Sequence, residues 1–398
     1  MRALICGAGI AGLTLAWWLE RDGWDVQIVE KAPGLRADGY MIDFFGSGYD
    51  VAELMGLLPE LRRVHTSIEE LRYVDREGRS EGHASYERFA ATIDDRVFSF
   101  MRGELEQVIH DALDGRVRIR YDATVDAVRE TGGGLAEVTL DDGSVEQVDL
   151  LVGADGVRSR VRELAFGPAD RYLRHLPYHT ASYVFSDDEL QARVGRRFLL
   201  IGEPGLQGGL YPTTDGRLAT TLIHRVPDPA LPADPAAEAR SVYGGMGGIV
   251  EEALRHCPDG PGLYYDQVTQ VEMERWSRGP VTLLGDACQA VSLMAGQGAS
   301  MAMGGAYVLA AELRHGGTVA EAAARYEHRM RPFVLQKQRS GRRSAAWMVP
   351  TERWRIIARG LLLAGMGLPG TAAVLRALFS TLRTSVVPKG ERTAVPGH

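Results

Sequence analysis

Buried-strand and amphipathic-helix patterns alternate from the first residues of this chain. Ala3, Leu4, Ile5 and Cys6 form a continuous apolar run, which predicts a strand covered on both faces. Leu13, Leu15, Ala16 and Leu19 recur at helical intervals, and Val26, Ile28 and Val29 predict a second strand that stops at Glu30. Gly7, Gly9 and Gly12 fill the first junction with G-x-G-x-x-G spacing. In a strand–turn–helix that spacing supplies a tight turn, room for a pyrophosphate against the backbone, and close helix–strand packing. The helix start would offer free N–H groups to phosphates, and Glu30 stands where a carboxylate accepts hydrogen bonds from an adenosine ribose. The pattern predicts dinucleotide binding and leaves NAD and FAD open. Arg2 ahead of an apolar stretch also fits a secretory signal, but three glycines within it and the missing small-residue cleavage site speak against one.

Two later stretches repeat the strand-then-turn pattern. Leu150, Leu151 and Val152 predict a buried strand that delivers Asp155-Gly156 to a turn, followed by a helix carrying Arg158, Arg160 and Arg162. Ligands of open α/β sheets bind at such strand ends. Residues 281–284 predict another buried strand, delivering Gly285-Asp286. A glycine-rich turn through Gly296 and Gly298 then opens a small-residue helix, whose backbone would come close to a ligand.

Between these stretches the pattern predicts a helix over 51–58 broken by Pro59, a strand over 71–74 and a polar, irregular segment over 80–95. A helix over 104–113 follows, and Asp141-Asp142-Gly143 predicts a hairpin turn. From 178 to 226, short alternating strands with glycine turns predict a mostly antiparallel sheet in a separate layer. There His179, Tyr211 and His224 are candidates to face a substrate pocket and polarise a phenol. A charged helix is expected over 320–343 and C-terminal helices over 354–382.

Composition narrows the class without naming the chemistry. With 398 residues, 45% hydrophobic and 24% charged, the chain can bury a large core in closely integrated domains. A net charge of −7 offers no electrostatic footprint for nucleic acid. Cys6, Cys257 and Cys288 are widely spaced, which predicts a reducing, cytoplasmic setting with neither a disulfide frame nor a metal site. No apolar run reaches membrane-span length without a charge or glycine, so stable membrane insertion is not expected.

The three motifs in this order resemble the class A FAD-dependent aromatic hydroxylases, the p-hydroxybenzoate hydroxylase group. The run from Asp38 through Gly39, Tyr40, Met41, Ile42 and Asp43 to Gly46, with Met55-Gly56-Leu57-Leu58, is similar to the tetracycline-inactivating flavin monooxygenases within that group. The resemblance implies an α/β fold: a Rossmann-like FAD-binding domain with an inserted, mainly antiparallel β-sheet substrate domain and C-terminal helices. Residues 1–70, 98–175 and 270–345 would form the first, 71–97 and 176–269 the second, and 346–398 the terminal helices.

It also implies roles. Gly7, Gly9 and Gly12 would sit on the FAD pyrophosphate and Glu30 on the adenosine ribose, with Ala11, Lys31 and Asp43 as further cofactor neighbours. Arg102 would contact the flavin side, Asp286 the ribitol, and Gly296, Gly298 and Ala299 the isoalloxazine. Asp155 and Gly156 would serve both FAD and NADPH, and Arg36 and Arg158 would meet the nicotinamide nucleotide. The implied reaction takes reducing equivalents from NADPH or NADH and one oxygen atom from O2. It hydroxylates an electron-rich, polycyclic aromatic or enolic small molecule, as in natural-product tailoring. Antibiotic inactivation and an FAD protein of altered, non-hydroxylating chemistry are the alternatives. Two departures bear on them: Gln289 stands where the family has histidine, and Leu293 where it has proline beside the ring.

Overall fold

The computed structural model describes residues 1–35, 39–365, 384–388, 390 and 391. Arg2–Cys6 lies inside a six-stranded sheet, hydrogen-bonded in parallel to Asp25–Val29 on one side and Leu150–Gly153 on the other. Arg118–Arg120 extends the sheet at one edge. Val281–Leu283 and the antiparallel Ser277–Arg278 extend it at the other. The apolar character of residues 3–6 and of Leu150–Gly153 follows from this position, since both faces are covered, and Gln27 of the strand Asp25–Val29 is buried too. The helix Ile10–Arg21 buries Leu13, Leu15, Ala16 and Leu19 against it.

A second sheet is mainly antiparallel. Its order is Tyr264–Val271, Leu173–Ser182, Leu218–Arg225, Leu206–Pro212, Arg197–Glu203, Glu70–Val74 and Ser80–Ser85. One face packs on the helices Asp188–Val194, Pro235–Tyr243 and Gly248–Leu254 through a core that includes Tyr183, Leu210, Leu222, Tyr243 and Val250. Residues of the opposite face, Tyr178, Ile223 and Val268, pack on Met294, Ala345 and Val349. A two-stranded ribbon, Met41–Phe45 with Val97–Met101, and a three-stranded sheet over Val125–Glu130, Ala136–Leu140 and Val145–Val148 complete the body.

Three local expectations change. The helix expected over 51–58 runs Ser47–Leu54, and Pro59 opens a second helix, Leu58–Arg63, instead of only ending the first. Proline is tolerated there because a first-turn N–H has no intrahelical partner. The polar segment 80–95 forms an edge strand, Ser80–Ser85, and a helix, Tyr86–Thr92, capped by Ser85. Edge strands tolerate such polarity because one side of their ladder meets no further strand. Tyr264–Val271 is a strand that the pattern reading passed over.

The helix Gly298–Arg314 is buried for nearly its whole length. Its small residues permit close contacts: a Cβ on Gly304 would come within 3.0 Å of the Ser47 side chain, and one on Gly305 within 2.8 Å of the Gln289 amide. Ser300 completes this packing by donating its hydroxyl to the Phe45 carbonyl at 2.8 Å.

Candidate active site

The three glycine and aspartate turns meet at one end of the parallel sheet, and each contact between them leaves no room for a side chain. Gly7 has φ +111°, and a Cβ there would lie 2.4 Å from the Ala154 carbonyl oxygen of the Asp155 turn. Gly12 packs on Gly7, where a Cβ would come within 2.0 Å of the Gly7 oxygen. Gly285, with φ +61°, presses on Ala11, whose Cβ would be 2.7 Å from an added one. Arg162 is fully buried and donates to the Ala287 carbonyl at 2.9 Å and to Val157 at 2.7 Å. The arginine run after Asp155 therefore includes a buried tie between the second and third turns.

A cleft opens between these turns and the antiparallel sheet. Gly9, Ala11, Arg102, Arg158, Asp286, Gly296, Gly298 and Ala299 line it on the side of the parallel sheet. Thr180, Tyr264, Asp266 and Val268 line it from the antiparallel sheet, and Tyr40 and Ile42 from the ribbon. A surface groove of about 670 Å³, near Ser277 and Arg331, shares none of these residues.

Asp286 is exposed, and its carboxylate makes no hydrogen bond or ion pair with any described residue. Surrounding protein pushes its carboxyl above the usual range, while the charge of Arg102, which lines the same cleft, pulls it back. Burial works against the Arg102 charge, but Glu106, at 2.8 Å, and Tyr40 and Asp286 hold it on. Ser292 adopts φ +82°, a conformation uncommon outside glycine, and its buried hydroxyl has no partner among the described residues. Gly296 follows in the left-handed region, and the helix Gly298–Arg314 then presents its first N–H groups at the cleft. Such a helix start favours an electron-rich oxygen.

The other expected cofactor residues have distinct local duties. Glu30 ends its strand and accepts from the backbone N–H groups of Ala8 and Ala32, both at 2.8 Å, with Lys31 exposed beside it. Asp155 caps the helix Arg160–Phe166, accepting from the Ser159 hydroxyl at 2.5 Å and the N–H groups of Arg160 and Val161 at 2.6 and 3.1 Å. The cleft is lined instead by its neighbours Ala154 and Gly156. Asp43 accepts from Tyr86 and, at 2.7 Å, from Ser99, while the adjacent Ile42 lines the cleft. Arg158 donates twice to Asp266, at 2.5 and 3.2 Å. Arg36 lies outside the described residues.

The expected substrate residues are not brought together at the cleft. His179 and His224 are direct partners across adjacent strands, with ring centroids 5.5 Å apart. His179 binds the Tyr265 hydroxyl and the Pro229 carbonyl at 3.1 and 3.0 Å, and His224 binds the Tyr243 hydroxyl at 2.8 Å. Strand alternation explains this placement. Side chains one residue apart take opposite faces, so Thr180 is turned to the cleft and His179 to the helical layer. Tyr211 is buried, and its hydroxyl accepts the Met41 N–H at 2.9 Å. Tyr40, Thr180, Tyr264 and Asp266 were missed by the sequence reading. For the last two, the strand-forming run Tyr-Tyr-Asp-Gln-Val-Thr-Gln-Val at 264–271 was the available signal.

Of the two departures, only one reaches the cleft. Gln289 is turned into the core and donates to the Tyr326 hydroxyl at 2.6 Å, whereas Leu293 lines the cleft. Among the described residues no cluster of histidine, cysteine and acidic side chains could hold a metal ion.

The family pattern described as an FAD binding domain matches residues 1–339. A flavin-dependent monooxygenase of Phoma sp., eupH, is 30% identical over 384 residues, covering 88% of this chain and 87% of the relative. The chain belongs to the FAD-binding flavin-dependent monooxygenases. An uncharacterised Mycobacterium tuberculosis protein is 31% identical over 347 residues, 84% of this chain and 91% of its own length. The crystal structure of tetracycline destructase Tet(51) superposes with a TM-score of 0.80 at 25% identity, covering 98% of this chain and 99% of that one. The residues of the cleft fit FAD in this monooxygenase: glycines stand where a pyrophosphate must approach backbone, and a carboxylate with no partner among the described residues shares the cleft with a held arginine.

Proposed function

We propose that this monooxygenase uses NADPH or NADH and O2 to hydroxylate an electron-rich small molecule of the polycyclic aromatic or enolic class. The observation that carries the reading is Asp286, whose carboxylate has no partner among the described residues and shares with Arg102 a cleft roofed by the second sheet. FAD, when bound, supplies the electron transfer to O2 and the delivery of one oxygen atom. Gly7, Gly9, Ala11 and Gly12 would admit its pyrophosphate, and Glu30 and Lys31 would serve the adenosine end, with Asp43 on the ribbon. Asp286 would accept from the ribitol. Arg102, oriented by Glu106, and the N–H groups from Gln297 to Ala299, after the turn at Gly296, would hold the ring's oxygens. Val268, Val291 and Leu293 keep water from the reacting face. Thr180 and Tyr264, instead of His179 and His224, are offered to the substrate, with Tyr211 supporting the ribbon behind them. Arg158, three residues after Asp155, would meet the nicotinamide nucleotide, and the sequence assigns Arg36 to the same ligand. Three free, buried cysteines suit a reducing cytoplasm.

The test is stopped-flow reduction of the purified flavoprotein by NADPH and NADH across a panel of polycyclic phenols, with product mass measured. Faster flavin reduction and a gain of one oxygen atom are expected with some members. A colourless protein that cannot be reconstituted with FAD would end the reading. The likeness to Tet(51) favours one further role, inactivation of a tetracycline, which loss of tetracycline absorbance under turnover would reveal.

A further inference from the structure

The helix Arg353–Gly365 is mounted with its faces reversed. Arg359, only 1% exposed, is on the protein side, its guanidinium 3.8 Å from the Tyr73 ring centroid and donating to the Met348 carbonyl at 2.8 Å. Gly360 is beside it, so close to Ser80–Ser85 that a Cβ would lie 2.6 Å from the Glu81 carbonyl oxygen. The solvent side carries Trp354, Ile357, Leu361 and Leu362, exposed by 63, 63, 70 and 49%. Trp347, near the end of the preceding helix, adds 48%. A helix on an aqueous surface has the opposite arrangement, with its apolar stripe inward.

Charge points to what covers this stripe. Between residues 339 and 365 the chain has one acidic residue, Glu352, and six arginines, of which all but Arg359 are at least partly exposed, although its net charge is −7. Arg353 and Arg355 flank the stripe, one on each side by helical position. Arg355 stacks on the Trp354 ring at 5.3 Å and pairs with Glu352 at 3.0 Å. A tryptophan and branched aliphatic stripe bordered by arginines matches an anionic lipid interface: the apolar side chains enter the acyl boundary and the guanidinium groups stay among the headgroup phosphates. At 13 residues the helix is too short to span a bilayer.

We propose that the helix Arg353–Gly365 lies in the plane of an anionic membrane and docks this enzyme on it. The proposal is independent of the substrate reading. It is tested by flotation of the FAD-loaded, full-length protein with phosphatidylcholine vesicles, with and without phosphatidylglycerol. Binding only to the anionic vesicles, weakened by salt, is expected. A combined W354E/I357E/L361E variant should lose at least about tenfold in bound fraction while keeping its melting temperature, because these side chains touch mainly solvent. R353E/R355E should bind less and lose most of the salt dependence. The proposal falls if wild type ignores anionic vesicles or if the triple variant binds equally well. It also falls if sedimentation shows a dimer that the triple variant alone dissolves, since the stripe would then be covered by a second copy.

Discussion

Arg162 and Ala287 are 125 residues apart, and a buried 2.9 Å hydrogen bond from the guanidinium to the carbonyl joins them. With Gly7 against Ala154 and Gly285 against Ala11, this bond makes three separate sequence motifs into one rigid wall of the cleft. The wall's shape therefore depends on contacts that no single motif contains.

Arg162→Met should test that dependence. It leaves the Ala287 and Val157 carbonyls without their charged donor, a loss of about 3 kcal/mol on the scale of buried hydrogen bonds to ionised groups. We expect a lower urea midpoint and faster release of FAD. Unchanged flavin retention would show that the turns hold their positions without the arginine.

Gly12→Ala should be the most damaging small substitution, because its methyl group would lie 2.0 Å from the Gly7 oxygen. Overpacking of this kind costs roughly 3 kcal/mol or more when backbone is the obstacle. A methyl group on Gly34 meets nothing within 4 Å, so Gly34→Ala is the matched control. Thermal melts should separate the two clearly, with FAD content falling only in the first.

Much of this wall was legible in the sequence, because glycine spacing, buried apolar runs and acidic strand ends are local signals. Arg162 was not, since one of three arginines after a turn reads as part of a solvated basic face until a distant carbonyl is found beside it. The roof of the cleft was legible only as a sheet. Whether His179 or Thr180 looks into the cleft is a matter of strand parity, and a one-residue shift reverses every side chain. Gln289 illustrates the same limit: it occupies a position of interest in the motif, yet it points at Tyr326.

Asp155 and Asp286 should behave differently despite their matching places at strand ends. Asp155 spends both carboxylate oxygens on the helix that follows it, so Asp155→Ala should cost about 1–2 kcal/mol of stability, as lost helix caps do. Asp286 has no such duty. Asp286→Ala should leave the melting temperature of the FAD-free protein within a degree or two and weaken FAD binding by roughly ten- to a hundredfold, the value of one or two charged hydrogen bonds. Flavin content after gel filtration, beside melts of the stripped proteins, distinguishes these outcomes.

His224 gives a pH signature to the helical layer. Burial, aided by the neighbouring His179, lowers its imidazole from the usual 6.5 to about 4. A base depressed in the folded state stays neutral there while the unfolded chain takes up a proton. Stability is then complete above about pH 6.5, declines as the pH falls toward 4 and levels off below it. The gap corresponds to as much as about 3 kcal/mol. Urea unfolding of wild type should show this fall between pH 7 and 4.5. His224→Leu, which leaves the Tyr243 hydroxyl unpaired, should start from a lower plateau but lose less on acidification. Equal losses in the two proteins would assign the acid sensitivity to other groups.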